Sequence, residues 1–179
     1  MDVFEVIKKR RSIRKYKSGV IPKEHLRAIL EAAIWAPNAG NLQPWEFILV
    51  ESHEKKKELA KAALNQFFIA EAPVVIVVCA NVMRTASIYG ERGAKLYCIQ
   101  DTAAAIQNIL LAACALGYGT CWVGAFRDSE VKRILNIPDE VRPVAIIPIG
   151  VPGEDPKPRK RRPLEKVLFF ETYGNLGKL

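Results

Sequence analysis

The side chains best suited to chemistry in this sequence are arginines. Arg10, Arg11 and Arg14 stand within five residues of one another around Ser12, inside the run KKRRSIRKYK, where seven of ten residues are basic. A second cluster, Lys157, Arg159, Lys160, Arg161 and Arg162, lies near the other end of the chain. A planar guanidinium makes paired, charge-assisted bonds to phosphate oxygens, so arginine at this density could hold an anion. A nucleic-acid arm, a membrane-surface patch and a solvated helix face are the other uses of such a run. The net charge is +8; the first cluster carries seven positive charges and the second five, which leaves −4 for the rest. This is not a diffusely basic surface of the kind that attracts DNA. Either the clusters are separate solvated patches, or the fold brings them together around an anion.

Other machinery is missing. There is no G-x-x-x-x-G-K-[ST], and Gly117–Gly119 follows a helix pattern with no third glycine at dinucleotide-binding spacing. There is no G-x-S-x-G. His25 falls in an amphipathic helix and His53 at a helix start, places for surface or capping roles. Glu54 and Glu58 face lysines on a charged helix and read as a salt-bridged surface. The four cysteines form no C-x-x-C pair, and neither histidine is near one, so no metal site and no disulfide framework is expected. An enzyme built this way would leave its chemistry to a cofactor.

The elements that would position these arginines can be read from periodicity. Asp2 caps a short helix to Lys9; residues 12–20 read as extended chain; a helix follows Pro22, with Leu26, Ile29, Leu30, Ala33 and Ile34 as its apolar stripe, and stops at Pro37. NAGNLQP is a loop and WEFILV a strand. Ser52 caps a charged helix running to Phe68, and APVVIVVCA suits a strand buried on both faces. Residues 81–97 are ambiguous. A long apolar helix then ends at Gly117, TCWVGAF gives a short strand and turn, and Asp128 caps a further helix. RPVAIIPIGVP is a buried strand, GEDPKPRKRRP a polar loop, and LEKVLFFETY partly a strand. This is one α/β or α+β domain spanning residues 1–179. The N-terminus shows no signal-peptide h-region, and the longest apolar run, 103–116, is interrupted by Gln107 and Asn108 and too short for a bilayer, so a soluble, cytoplasmic protein is expected with no membrane partner. The helices are more apolar than one small domain needs, which predicts a homodimer.

Taken together and in order, RRSIRKY, APNAGNLQPWEFILV, LGYGTCWVGAF, PVAIIPIGVP and RKRRPLEKV resemble the nitroreductase family of FMN-dependent oxidoreductases over nearly the whole chain. The resemblance implies an α+β fold with a central mixed, mainly antiparallel sheet flanked by helices. It also implies an intertwined homodimer with FMN at the subunit interface, and a ping-pong reaction. NADH or NADPH would reduce the flavin, and a nitroaromatic, quinone or other electron-poor acceptor would reoxidise it.

The same resemblance assigns residues. Arg10, Arg11, Ser12 and Arg14 match positions that hold the FMN phosphate, ribityl chain and pyrimidine edge, with Arg14 nearest flavin N1 and O2. Pro37, Asn38, Ala39 and Asn41 match a loop contributed by the partner subunit, with Gln43, Pro44 and Trp45 in support. Trp122, Val123 and Gly124 match the segment along the isoalloxazine, where a backbone N–H near Val123 and Gly124 points at N5. Arg159 and Arg161 match a basic pair that closes on the phosphate. No side chain of this set is catalytic in its own right. The chain departs from the family pattern at Asn38 and Ala39, where serine is common, and at Val123, where many relatives have glutamate. Whatever covers the substrate pocket would lie within residues 83–97. Related flavin chemistries, reductive dehalogenation or oxygen-dependent flavin cleavage, are alternatives within the same superfamily, and a basic nucleic-acid-binding module is the alternative of another class.

Overall fold

The structure, a computed structural model, describes residues 2–177. Four strands form its sheet: β1 (Trp45–Val50), β2 (Val74–Asn81), β3 (Gly119–Thr120) and β4 (Val141–Gly150), in the order β1-β2-β4-β3. Every pairing between these strands is antiparallel; among the described residues the one parallel contact is a bridge from Ser12 to Thr120. The β-branched run of β2 alternates cleanly between two cores. Val74, Ile76 and Val78 face α2 (Lys23–Ile34) and α6 (Cys98–Ala115), packing with Leu26, Ile29, Ile106 and Ile109. Val75, Val77 and Cys79 face α3 (His53–Ala62) and α7 (Asp128–Leu135), packing with Leu59, Val131 and Ile134. Helices on both faces therefore leave β2 and β4 almost wholly buried, as their composition requires.

The first helix, α1 (Val3–Lys9), begins with a capping box in which the Asp2 carboxylate accepts from Glu5 N–H and the Glu5 carboxylate from Asp2 N–H. Ser52 caps α3, but that helix stops at Ala62 rather than Phe68, because Leu64 and Asn65 take left-handed φ of 57° and 63°. A short α4 (Phe68–Glu71) follows. Residues 82–97, ambiguous in the sequence, are helical: α5 (Val82–Arg92), kinked at Gly90, then a π turn (Gly93–Tyr97) into α6. The helical run Val82–Ala115 is thus longer than the apolar stretch alone suggested, and is long and apolar enough to cross a membrane; half of its most apolar window is buried inside the fold. Asp128 is not the cap of α7. Arg127 holds that position, and Asp128, one residue inside the helix, accepts from Arg142 Nε at 3.1 Å.

The tail also differs from expectation. Residues 164–173 form no strand. They make one 3-10 turn (Leu164–Lys166) and a single bridge between Phe169 and Leu176, and nothing from 157 to 177 is buried. Apolar side chains stand in water here and along α1 and the end of α2: Phe4, Ile7, Trp35 (84% exposed), Leu164, Val167 and Tyr173 (93% exposed).

Candidate active site

The two basic clusters meet. Lys8, Arg10, Arg11, Ser12 and Arg14 from the N-terminal segment, and Lys157, Arg159 and Arg161 from the C-terminal arm, line one open cleft of about 810 Å3. Among the described residues no carboxylate lines it. Lys8 and Lys157, which the sequence reading left outside the site, add to it; only the convergence of the chain ends reveals them.

The N-terminal jaw is held to the sheet edge. Arg10 leaves the helical conformation with ψ 132°, ending α1. The Ile13 N–H donates to Thr120 O at 2.8 Å, Lys17 N–H to Val151 O at 2.9 Å, and Gly153 N–H to Lys15 O at 2.8 Å. Gly119 permits this approach, since a Cβ there would lie 2.7 Å from Ile13 Cγ1. The Tyr16 hydroxyl donates to Ile13 O at 2.7 Å. Burial, with a smaller contribution from nearby Cys121, pushes that phenol far above its ordinary range, so it stays a donor.

The arginines of this jaw are not equivalent. Among the described residues the Arg10 guanidinium donates to no protein acceptor, whereas Arg11 Nη1 donates to Lys8 O and to Arg10 O, closing the C-terminal end of α1. Arg11 is thus partly engaged in structure. The Arg14 N–H donates to Glu154 Oε1 at 2.6 Å, and its guanidinium lies 5.8 Å from the Phe68 ring centroid, a cation–π contact.

Beside this jaw runs the 121–124 segment. Val123 is 3% exposed and sits in the second core; its N–H donates to Ile146 O at 3.0 Å and its carbonyl accepts from Ile146 N–H at 2.9 Å. Neither its side chain nor its N–H is free for a ligand. The Gly124 N–H, by contrast, has no acceptor among the described residues, and Trp122 is exposed. Burial pushes the Cys121 thiol up, away from thiolate character, while Arg14 and Arg10 partly oppose it.

The loop with Pro37, Asn38, Ala39 and Asn41 is not brought to this cleft. It leads into Trp45, which pairs with Ala80 at one end of β2, whereas Thr120 pairs with Ile149 and Ile149 with Val74 at the other. The six residue steps from Ala80 to Val74, at ~3.3 Å each, put roughly 20 Å of sheet between the two places. The loop is internally ordered: Asn38 Oδ1 accepts from Gln43 N–H at 2.8 Å, Asn41 Oδ1 from Gln43 Nε2 at 3.1 Å, and Gln43 O from Arg84 Nη1 at 3.0 Å. Asp101 Oδ1 accepts from Ala39 N–H at 3.1 Å. The sequence announces Asp101 only as a lone acid in a largely apolar helix.

A sequence profile of the Nitroreductase family matches residues 7–70 and 62–151. The chain belongs to the nitroreductase family. A protein of Methanothermobacter thermautotrophicus, whose name includes NAD(P)H nitroreductase, is 39% identical over 163 residues, 89% of this chain and 82% of its own. An FMN reductase [NAD(P)H] of Bacillus subtilis is 31% identical over 191 residues, covering 99% of this chain and 77% of its own. The crystal structure of the NADPH:FMN oxidoreductase of Vibrio harveyi, complexed with NAD+, superposes with a TM-score of 0.89 at 28% identity, over 98% of this chain and 79% of that one. The chain has the α+β architecture the resemblance implied, an antiparallel sheet flanked by helices. The matched segments cover the N-terminal arginines, the 37–43 loop and residues 122–124 but stop at 151, so Arg159 and Arg161 join the site on geometry alone.

Proposed function

We propose that this nitroreductase is an FMN-dependent NAD(P)H oxidoreductase, working as one domain over its whole length and as a homodimer with two cofactor sites at the interface. The observation that carries this is the carboxylate-free cleft in which two arginine-rich chain ends converge beside residues 122–124. A phosphate dianion fits that donor set, and a nucleotide held here needs no glycine cradle. The unpartnered Arg10, with Arg159 and Arg161, grips the phosphate. Arg11 and Ser12 support that grip, and Arg14 sets a positive charge by the pyrimidine edge of the ring, favouring its reduced form electrostatically. Trp122 and Gly124 flank the isoalloxazine, the free Gly124 N–H being the donor available to N5; Val123 supports them from the core.

Bound FMN supplies the redox chemistry, taking hydride from NADH or NADPH and passing it to a nitroaromatic, quinone or similar electron-poor acceptor in a second half-reaction. The protein positions the reactants and excludes competing reactions. Residues 37–43 lie too far from their own cleft to serve it, which supports the assignment of Pro37, Asn38, Ala39 and Asn41 to the site of the partner. The exposed Trp35 and the apolar tail supply surface for such an intertwined pair. All four cysteines are free, which fits the reducing cytoplasm.

The test is direct. The purified protein is yellow, denaturation releases FMN, and either dinucleotide bleaches the flavin anaerobically until an acceptor is added. A colourless protein that takes up no added FMN overturns the assignment. Mobility shift of a nucleic-acid duplex at physiological salt would instead favour the nucleic-acid-binding alternative.

A further inference from the structure

Asp101 is the only acidic side chain buried among the described residues, at 6% exposure. It stands in the first turn of α6, just ahead of that helix's apolar stretch. One carboxylate oxygen accepts from Ala39 N–H at 3.1 Å; the other, Oδ2, is buried with no partner among the described residues. Half-satisfied burial of this kind destabilises a fold, so the group calls for another reason. Its target supplies one. Ala39 opens a tight turn in which Gly40, Asn41 and Gln43 all take left-handed φ, of 57°, 55° and 50°. Two of these are not glycine, and such conformations persist only where the surroundings over-determine them. Asp101 fastens the start of the turn to α6, while Arg84 fastens its end. The turn stands at the sheet end remote from its own cleft, so the site it can close is that of a second copy.

We propose that Asp101 is a positioning residue that acts in trans: it fixes the 37–43 loop of one subunit so that the loop completes the cofactor site of the other. The proposal rests on the FMN-dimer reading above.

FMN affinity of the flavin-stripped dimer, read by quenching of flavin fluorescence, tests it. Asp101→Ala, which removes the acceptor, raises the FMN Kd about tenfold, the usual weight of one hydrogen bond to a charged group. Asp101→Asn keeps an Oδ1 acceptor and stays within about threefold of wild type, a rescue that loss of packing would not produce. If Asp101→Ala fails to fold, Asp101→Leu, close in size and suited to the apolar helix, takes its place. A mixed dimer, with Arg10→Ala in one subunit and Asp101→Ala in the other, then decides the trans action. If the loop serves its partner, both defects fall on one site and the second binds FMN with wild-type affinity. Two impaired sites, an unchanged Kd in Asp101→Ala and Asp101→Leu, or Asp101→Asn failing as badly as Asp101→Ala would each overturn the proposal. A wild-type dimer that binds no FMN would overturn the functional reading instead.

Discussion

Replacing Arg10 by alanine distinguishes a built phosphate site from a cloud of positive charge. Arg10 is half-buried at the end of α1, lines the cleft, and spends none of its guanidinium donors on the protein. Its neighbour Arg11 lines the same cleft but donates to the carbonyls of Lys8 and Arg10. Lys17 carries the same charge in the same run yet lies outside the cleft. A hydrogen bond to a charged partner contributes about 1.5–3 kcal/mol net. At 1.4 kcal/mol per decade, Arg10→Ala therefore weakens FMN binding roughly 10- to 150-fold. Arg11→Ala, with its Nη1 already engaged, costs less than about fivefold in Kd but lowers thermal stability through the bared carbonyls of α1. Lys17→Ala acts only through long-range potential, screened beyond about 10 Å at 0.1 M salt, and stays within about twofold. Fluorescence titration of the flavin-stripped protein at low and moderate salt measures all three. Equal losses from Arg10→Ala, Arg11→Ala and Lys17→Ala, erased together by salt, would refute the geometric assignment and leave only generic charge.

Other consequences follow from the same geometry. Gly119→Ala drives a Cβ against the Ile13 side chain at 2.7–2.9 Å, an overpacking cost of about 1–3 kcal/mol seen as a melting point several degrees lower; combining it with Ile13→Ala should recover part of the loss, and strict additivity would refute the contact. Lys56 is buried, its Nζ donating to Ala72 O at 2.6 Å and Pro73 O at 3.0 Å, and burial holds its pKa below the ordinary 10.5. In that window the unfolded chain binds more protons than the folded one, so the stability Lys56 contributes is fully present above 10.5 and is lost as pH falls through the lowered folded value. Chemical denaturation across alkaline pH should show wild type gaining on Lys56→Met as pH rises toward 10.5; parallel curves would deny the shift. Trp35→Glu, at an 84% exposed position, is expected to convert dimer to monomer in light scattering and to release FMN with it. A variant that remains dimeric removes Trp35 from the interface.

Much of the scaffold was legible because its residues have one good use. The alternating branched side chains of β2 fit only a strand buried on both faces, and the Asp2–Glu5 spacing fits a capping box. The misreadings share a physical cause, namely interactions that local pattern does not encode. Asp128 is a good cap by type, yet Arg142 on β4 claims its carboxylate. LEKVLFFETY has strand composition, but among the described residues it pairs with no strand of the sheet, and Leu164, Val167, Phe170 and Tyr173 stay exposed. Residues 82–97 concealed a helix because Gly90, at φ 55°, breaks the period, and because Met83, Ile88 and Tyr89 lie on the outside. Within the candidate site, residue types announced an anion, but only the register of Val123 with Ile146 shows which neighbouring amide is already taken.

The cleft sets seven cations around a cavity without one lining carboxylate, which is unfavourable until an anion enters. The two jaws bear that repulsion differently. The N-terminal jaw is pinned by backbone bonds to Thr120, Val151 and Gly153, and by the Arg14 N–H on Glu154. Among the described residues, 155–161 make no hydrogen bond to the rest of the chain. One jaw is therefore preorganised, while the other has little to hold it until an anion enters. Such an arrangement links two events thermodynamically: whatever binds only the closed form stabilises it by RT ln(1 + L/Kd), a logarithmic gain with ligand concentration L. On the proposed reading, phosphate capture and closure of the C-terminal arm are then one coupled equilibrium. The charge repulsion built into the cleft makes that equilibrium depend on the cofactor.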